Sequence, residues 1–122
     1  MSSIPIQAVP IMGVVGLVIA MVILFALKRR SPGTQAMVDL AAQIHEGAMV
    51  FLRAEYSILV VFVALVAALL GWFVAPMTAV AFITGAIASM AAGYAGMTAA
   101  TSANVRTTAA AQAEGQGPAL MV

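Results

Sequence analysis

The side chains able to do chemistry are few in this sequence, and they lie in groups. Asp39, His45, Glu46, Arg53 and Glu55 share one stretch; Lys28, Arg29 and Arg30 precede it; Arg106 and Glu114 follow far behind. His45-Glu46 has the opening of a zinc-protease helix motif. That chemistry needs a second histidine four residues on, on the same helix face. Position 49 is Met49, His45 has no second histidine to join it, and there are no cysteines. The better reading of His45 is a polar residue on a helix at the membrane surface. Arg53 stands two turns after Glu46 and is not its direct partner, so Glu46, Arg53 and Glu55 read as a solvated helix face. Gly93-Tyr94-Ala95-Gly96 lacks the strand, the lysine and the further glycines of a phosphate loop, and reads as close helix packing. The nine methionines read as adaptable packing. Arg106, flanked by Asn104 and Thr107 among alanines, is either an interfacial anchor or a bridge to a neighbouring helix.

The elements that must carry these residues are apolar. The 122 residues are 64% hydrophobic and 7% charged, with a mean hydropathy of +1.11. Soluble domains carry about 25% charged residues, so a soluble fold of this composition could not cover its surface. The class is an all-α integral membrane bundle. A net charge of +1 gives no reason to expect a nucleic-acid partner; the expected surroundings are a lipid bilayer. None of the ionisable residues falls inside an apolar run. Carriage of ions requires a buried carboxylate or a comparable relay, so the chain is not expected to move ions alone.

Three spans are predicted. Residues 1–10 form a short extended lead-in with two prolines, and residues 11–27 form the first span. A signal peptide would carry its positive charge before the apolar core, whereas Lys28-Arg29-Arg30 follows it. Ser31-Pro32-Gly33 breaks the chain. Residues 34–75 are one long helix, capped by Thr34 and polar at first, with Met37, Leu40, Ala41, Ile44, Ala48, Phe51 and Leu52 as its apolar stripe. Its second half spans the membrane and places Trp72 and Phe73 at the far interface. A turn near Ala75–Met77 forces an antiparallel hairpin. Residues 78–106 are the third span with a polar extension. Rows of small residues run down it: Gly85, Ser89 and Gly93, then Ala88, Ala92, Gly96 and Ala100. Ala109–Ala113 could prolong this helix; residues 109–122 are assigned to a loop and the start of a further element. Lys28, Arg29, Arg30 and Arg53 lie between spans one and two, and Arg106 follows span three. The positive-inside rule puts both segments in the cytoplasm and the N-terminus outside.

Two motifs carry a family resemblance. Glu46-Gly47-Ala48, Phe51-Leu52 and Glu55-Tyr56 resemble the start of the second transmembrane helix of membrane-integral, ion-pumping inorganic pyrophosphatases. Gly93-Tyr94-Ala95-Gly96-Met97, Ala100-Thr101 and Ala103-Asn104-Val105-Arg106-Thr107 resemble that family's third helix and its cytoplasmic end. Thr98 and Ser102 are less basic than is common there. The resemblance covers about residues 10–122.

It implies a homodimer of long chains, each of about sixteen transmembrane helices in two concentric rings. It also implies pyrophosphate as substrate and magnesium, with potassium in some members, as cofactors. Hydrolysis would drive protons or sodium across the membrane, here expected to be a prokaryotic inner membrane. The family's substrate motifs lie on later helices, and Asp39 matches none of them. No catalytic, cofactor-binding or metal residue is therefore assigned. The chain is expected to be the N-terminal, outer-ring portion of such a pump, inactive alone and dependent on the remaining helices. The abrupt apolar end at Ala119-Leu120-Met121-Val122 and the lack of intramembrane charge favour that reading. The alternative is a small three-helix accessory subunit or transporter component without catalytic activity.

Overall fold

The computed structural model describes residues 8–121. Three long helices and one short one follow in order: α1 (Ala8–Lys28), α2 (Gln35–Phe73), α3 (Pro76–Glu114) and α4 (Gln116–Ala119). Residues 1–7, which hold most of the expected lead-in, lie outside the described residues. Residues 8–10, expected to be extended, are helical. Pro10 sits in the first turn, where a backbone N–H has no partner within the helix, so its missing donor costs nothing.

α1 has 21 residues, a length of about 31 Å at 1.5 Å per residue. That matches a hydrocarbon core of about 30 Å. α2 and α3 have 39 residues each, about 58 Å, so each extends well beyond one membrane surface. All three carry a stretch apolar enough to cross a bilayer. Their large side chains face outward: Leu17 is 68% exposed, Ile58 72% and Trp72 85%. Burial is confined to scattered side chains such as Leu27, Leu52, Ala67 and Ala109. The apolar surface therefore requires lipid or further helices around it.

The break between α2 and α3 is two residues, Val74 and Ala75. Ala75 is extended, and Pro76 occupies the first turn of α3, where its fixed φ suits a helix start. Pro76, expected within the turn, thus opens α3. So short a link makes the pair an antiparallel hairpin, and the two helices pack along their length. α1 touches α3 and not α2 among the described residues.

Two expectations are corrected. The sequence assigns residues 109–122 to a loop and the start of a further element, with Ala109–Ala113 open as a prolongation of the helix; α3 does continue through them, to Glu114. Alanine is the best helix former, and no breaker stands before Gly115, whose φ of 88° ends the helix. Thr34 holds the N-cap position in an extended conformation, but its side chain makes no capping bond. The start of α2 is exposed, so water can serve its free N–H groups.

Candidate functional site

The residues of interest fall in two places: a polar seam between α2 and α3, and a cationic base where the α1–α2 loop meets α3. The seam follows the antiparallel hairpin. The stripe of α2 that meets α3 is not the whole apolar stripe of the sequence. Met37, Ala41, Ala48 and Leu52 are covered, while Leu40, Ile44 and Phe51 are exposed. The covered face instead takes in His45 and Tyr56.

Tyr56 donates its hydroxyl proton to the main-chain carbonyl of Met90. This carbonyl can take a second bond, since it has two lone pairs. A Cβ added at Gly93 would stand 2.9 Å from the Tyr56 hydroxyl oxygen. Glycine at 93 leaves room for the tyrosine hydroxyl against α3. Gly85 and Gly96, from the same rows of small residues, have no neighbouring atoms within 4 Å of a built Cβ. Among the described residues, close approach across the seam depends on Gly93 and not on those rows as a whole.

Nearer the base, His45 Nδ1 lies 2.9 Å from Thr101 Oγ1. Thr101 Oγ1 also lies 3.0 Å from the Met97 carbonyl. If the threonine proton goes to that carbonyl, its oxygen accepts from Nδ1–H of the histidine. His45 is therefore a part-buried clasp between helices. Glu46, Arg53 and Glu55 are exposed, and Arg53 borders the seam beside Tyr56 and Tyr94. Asp39 is exposed and accepts from Gln35 Nε2 at 2.9 Å, one turn away.

At the base, Arg106 is a bridge. Its Nη1 donates to the carbonyl and hydroxyl of Ser102, both at 2.8 Å. Its Nε donates to the main-chain carbonyl of Arg30 at 3.2 Å. Gly33, with φ of 86°, presses the same loop onto α3: an added Cβ would be 2.9 Å from that of Ala109. The bridging role left open in the sequence is thus the one observed, and its partner is a loop carbonyl rather than a helix side chain.

Magnesium does not fit these residues. Among the described residues no three of His, Cys, Asp and Glu come together as a metal-holding group, and the carboxylate of Asp39 is engaged by its neighbour on the helix. What the arrangement can do is hold two helices in register and fix a loop at the membrane surface.

The fold and its seam define a class: a membrane-embedded helical hairpin with an extra span, built to pack with other helices. Residues 14–122 match the family described as inorganic H+ pyrophosphatase, and the chain belongs to that family. It is 44% identical over 110 residues to a Clostridium tetani protein provisionally named a K(+)-stimulated pyrophosphate-energized sodium pump; the match covers 90% of this chain and 16% of that protein. It is 40% identical over 98 residues to the K(+)-stimulated pyrophosphate-energized sodium pump of Thermotoga maritima, covering 80% of this chain and 14% of the relative. It is 39% identical over 105 residues to the K(+)-insensitive pyrophosphate-energized proton pump 2 of Moorella thermoacetica, covering 85% and 15%. The chain thus spans about one-sixth of the length of these relatives. No solved structure gives a significant match.

Proposed function

We propose that this chain is part of the membrane frame of a pyrophosphate-energised ion pump, and that the hydrolytic and ion-conducting groups lie on other helices of that pump. One observation carries the reading. The family match runs through all three spans, yet the apolar faces of those spans are bare, as expected of helices that pack against more of the same protein. The absence of ionisable side chains within the apolar runs fits a bracing role, because proton and sodium relays need them.

In this reading the N-terminus lies outside a prokaryotic cell membrane. The α1–α2 loop and the end of α3 lie in the cytoplasm, on the side favoured by their cationic residues. The spans belong to the outer ring of a homodimer. Pyrophosphate and magnesium, with or without potassium, bind elsewhere in the pump. Both sodium and proton pumps are among the relatives, and the residues here do not choose between them.

The 122-residue chain, reconstituted alone in lipid vesicles, should neither hydrolyse pyrophosphate nor take up protons or sodium when pyrophosphate and magnesium are supplied. Turnover well above that of empty vesicles, carried by this chain, would overturn the assignment of a purely bracing role.

A further inference from the structure

We propose that the cleft between the α1–α2 loop and the end of α3 holds the phosphodiester headgroup of an anionic lipid. The cleft is about 480 Å³ and is lined by Arg30, Ser31, Gly33, Thr34, Arg106 and Glu114. Two arginines thus come together that are 76 positions apart in the chain.

The depth is right for a headgroup. α1 is just long enough to cross the hydrocarbon layer and ends at Lys28. The loop that follows therefore enters the headgroup layer, where basic residues next to a span attract anionic lipid.

The donors are held ready. Arg106 is fixed by bonds from Nε and Nη1, which leaves its Nη2 protons without a partner among the described residues. A guanidinium fixed in this way can bind a phosphate without losing further freedom, and its planar fork matches phosphate oxygens. Ser31 Oγ accepts from the Gly33 N–H at 3.2 Å, so its own proton is free to donate. Thr34 makes no capping bond, so its hydroxyl is also free. Glu114 opposes an anion and sets a sign for the test.

The test is native mass spectrometry of the chain in detergent with phosphatidylglycerol or phosphatidylcholine added. Phosphatidylglycerol should be retained preferentially. Arg30→Gln and Arg106→Gln should each lower that retention about fivefold. Arg30→Gln keeps the main-chain carbonyl that Arg106 binds, so it separates loss of the site from loss of the loop. Arg29→Gln is the control, because its guanidinium lies over the Phe25 ring, 4.7 Å from the centroid, and does not line the cleft; it should change retention little. Glu114→Gln should raise retention. Equal retention of the two lipids would overturn the proposal. So would an Arg29→Gln loss as large as that of Arg30→Gln, which would mean diffuse attraction. Displacement of phosphatidylglycerol by millimolar inorganic phosphate would overturn it too, assigning the cleft to free phosphate instead.

Discussion

Replacing Gly93 by leucine lowers the stability of the α2–α3 hairpin by about 1–3 kcal/mol, the clash and the lost bond being partly offset by about 1 kcal/mol of helix propensity. Overpacking of a tight contact costs about 1–3 kcal/mol. The tyrosine that must move also gives up its bond to the Met90 carbonyl, a net loss of about 1 kcal/mol. The built Cβ at 93 stands 2.9 Å from the Tyr56 hydroxyl oxygen, so even Gly93→Ala displaces it. The expectation can be isolated with a double substitution. Tyr56→Phe alone should cost about 1 kcal/mol. In that background Gly93→Ala should stabilise by up to about 1 kcal/mol, because the obstructing oxygen is gone and alanine favours the helix. Gly96→Leu should leave the hairpin intact, since nothing lies within 4 Å of its Cβ position. Loss of helix in a detergent-denaturation series reads all of these. Equal damage from Gly93→Leu and Gly96→Leu in this chain would contradict the seam.

Gly33→Ala is the second large effect, at about 2–4 kcal/mol. The φ of 86° at Gly33 costs a residue with a side chain about 1–2 kcal/mol. The new Cβ would also stand 2.6 Å from Met37 Sδ and 2.9 Å from Ala109 Cβ. The thioether can swing aside; Ala109 is buried on α3 and cannot. The expected result is a loop lifted from α3 and a weakened Arg106–Arg30 bond. Trypsin should then cut faster at Lys28, Arg29 and Arg30. Adding Ala109→Gly removes the clash but not the backbone strain; since glycine at 109 itself costs about 1 kcal/mol of helix stability, the comparison is made in the Ala109→Gly background, where Gly33→Ala should cost about half as much as in the parent. No cost in that background would show that packing alone requires Gly33; an undiminished cost would show that backbone conformation alone does.

The spans were legible because lipid imposes a simple condition on composition. Long uncharged runs, a cationic stop at Lys28-Arg29-Arg30 and a break at Ser31-Pro32-Gly33 leave few alternatives. The family was legible from two short motifs, one in the polar half of α2 and one at the end of α3. The seam was not legible, for a physical reason. The exposed surface is nearly as apolar as the covered one, so hydropathy could not say which stripe of α2 meets α3. Leu40 and Phe51 look like core residues and are 59% and 60% exposed, whereas His45 looks like a surface residue and is clasped to Thr101.

One signal was available. Tyr56 lies as far before Val74 as Gly93 lies after Ala75, so folding the sequence about the turn sets them opposite each other. The bonded pairs Tyr56–Met90 and His45–Thr101 share one register, offset by three residues, about one helical turn, from that fold. The Arg106–Arg30 bond joins a side chain to a backbone carbonyl in a loop, and residue types carry no trace of such a partner.

The most direct test is transplantation into the Thermotoga maritima sodium pump, with these residues replacing the 98 matched ones. Pyrophosphate-driven sodium uptake is then measured in vesicles with potassium and magnesium present. If this chain is frame and the chemistry lies elsewhere, the chimera retains uptake, within about tenfold of the parent, a barrier change of about 1.4 kcal/mol. A chimera that inserts and folds, yet takes up no sodium, would contradict the account.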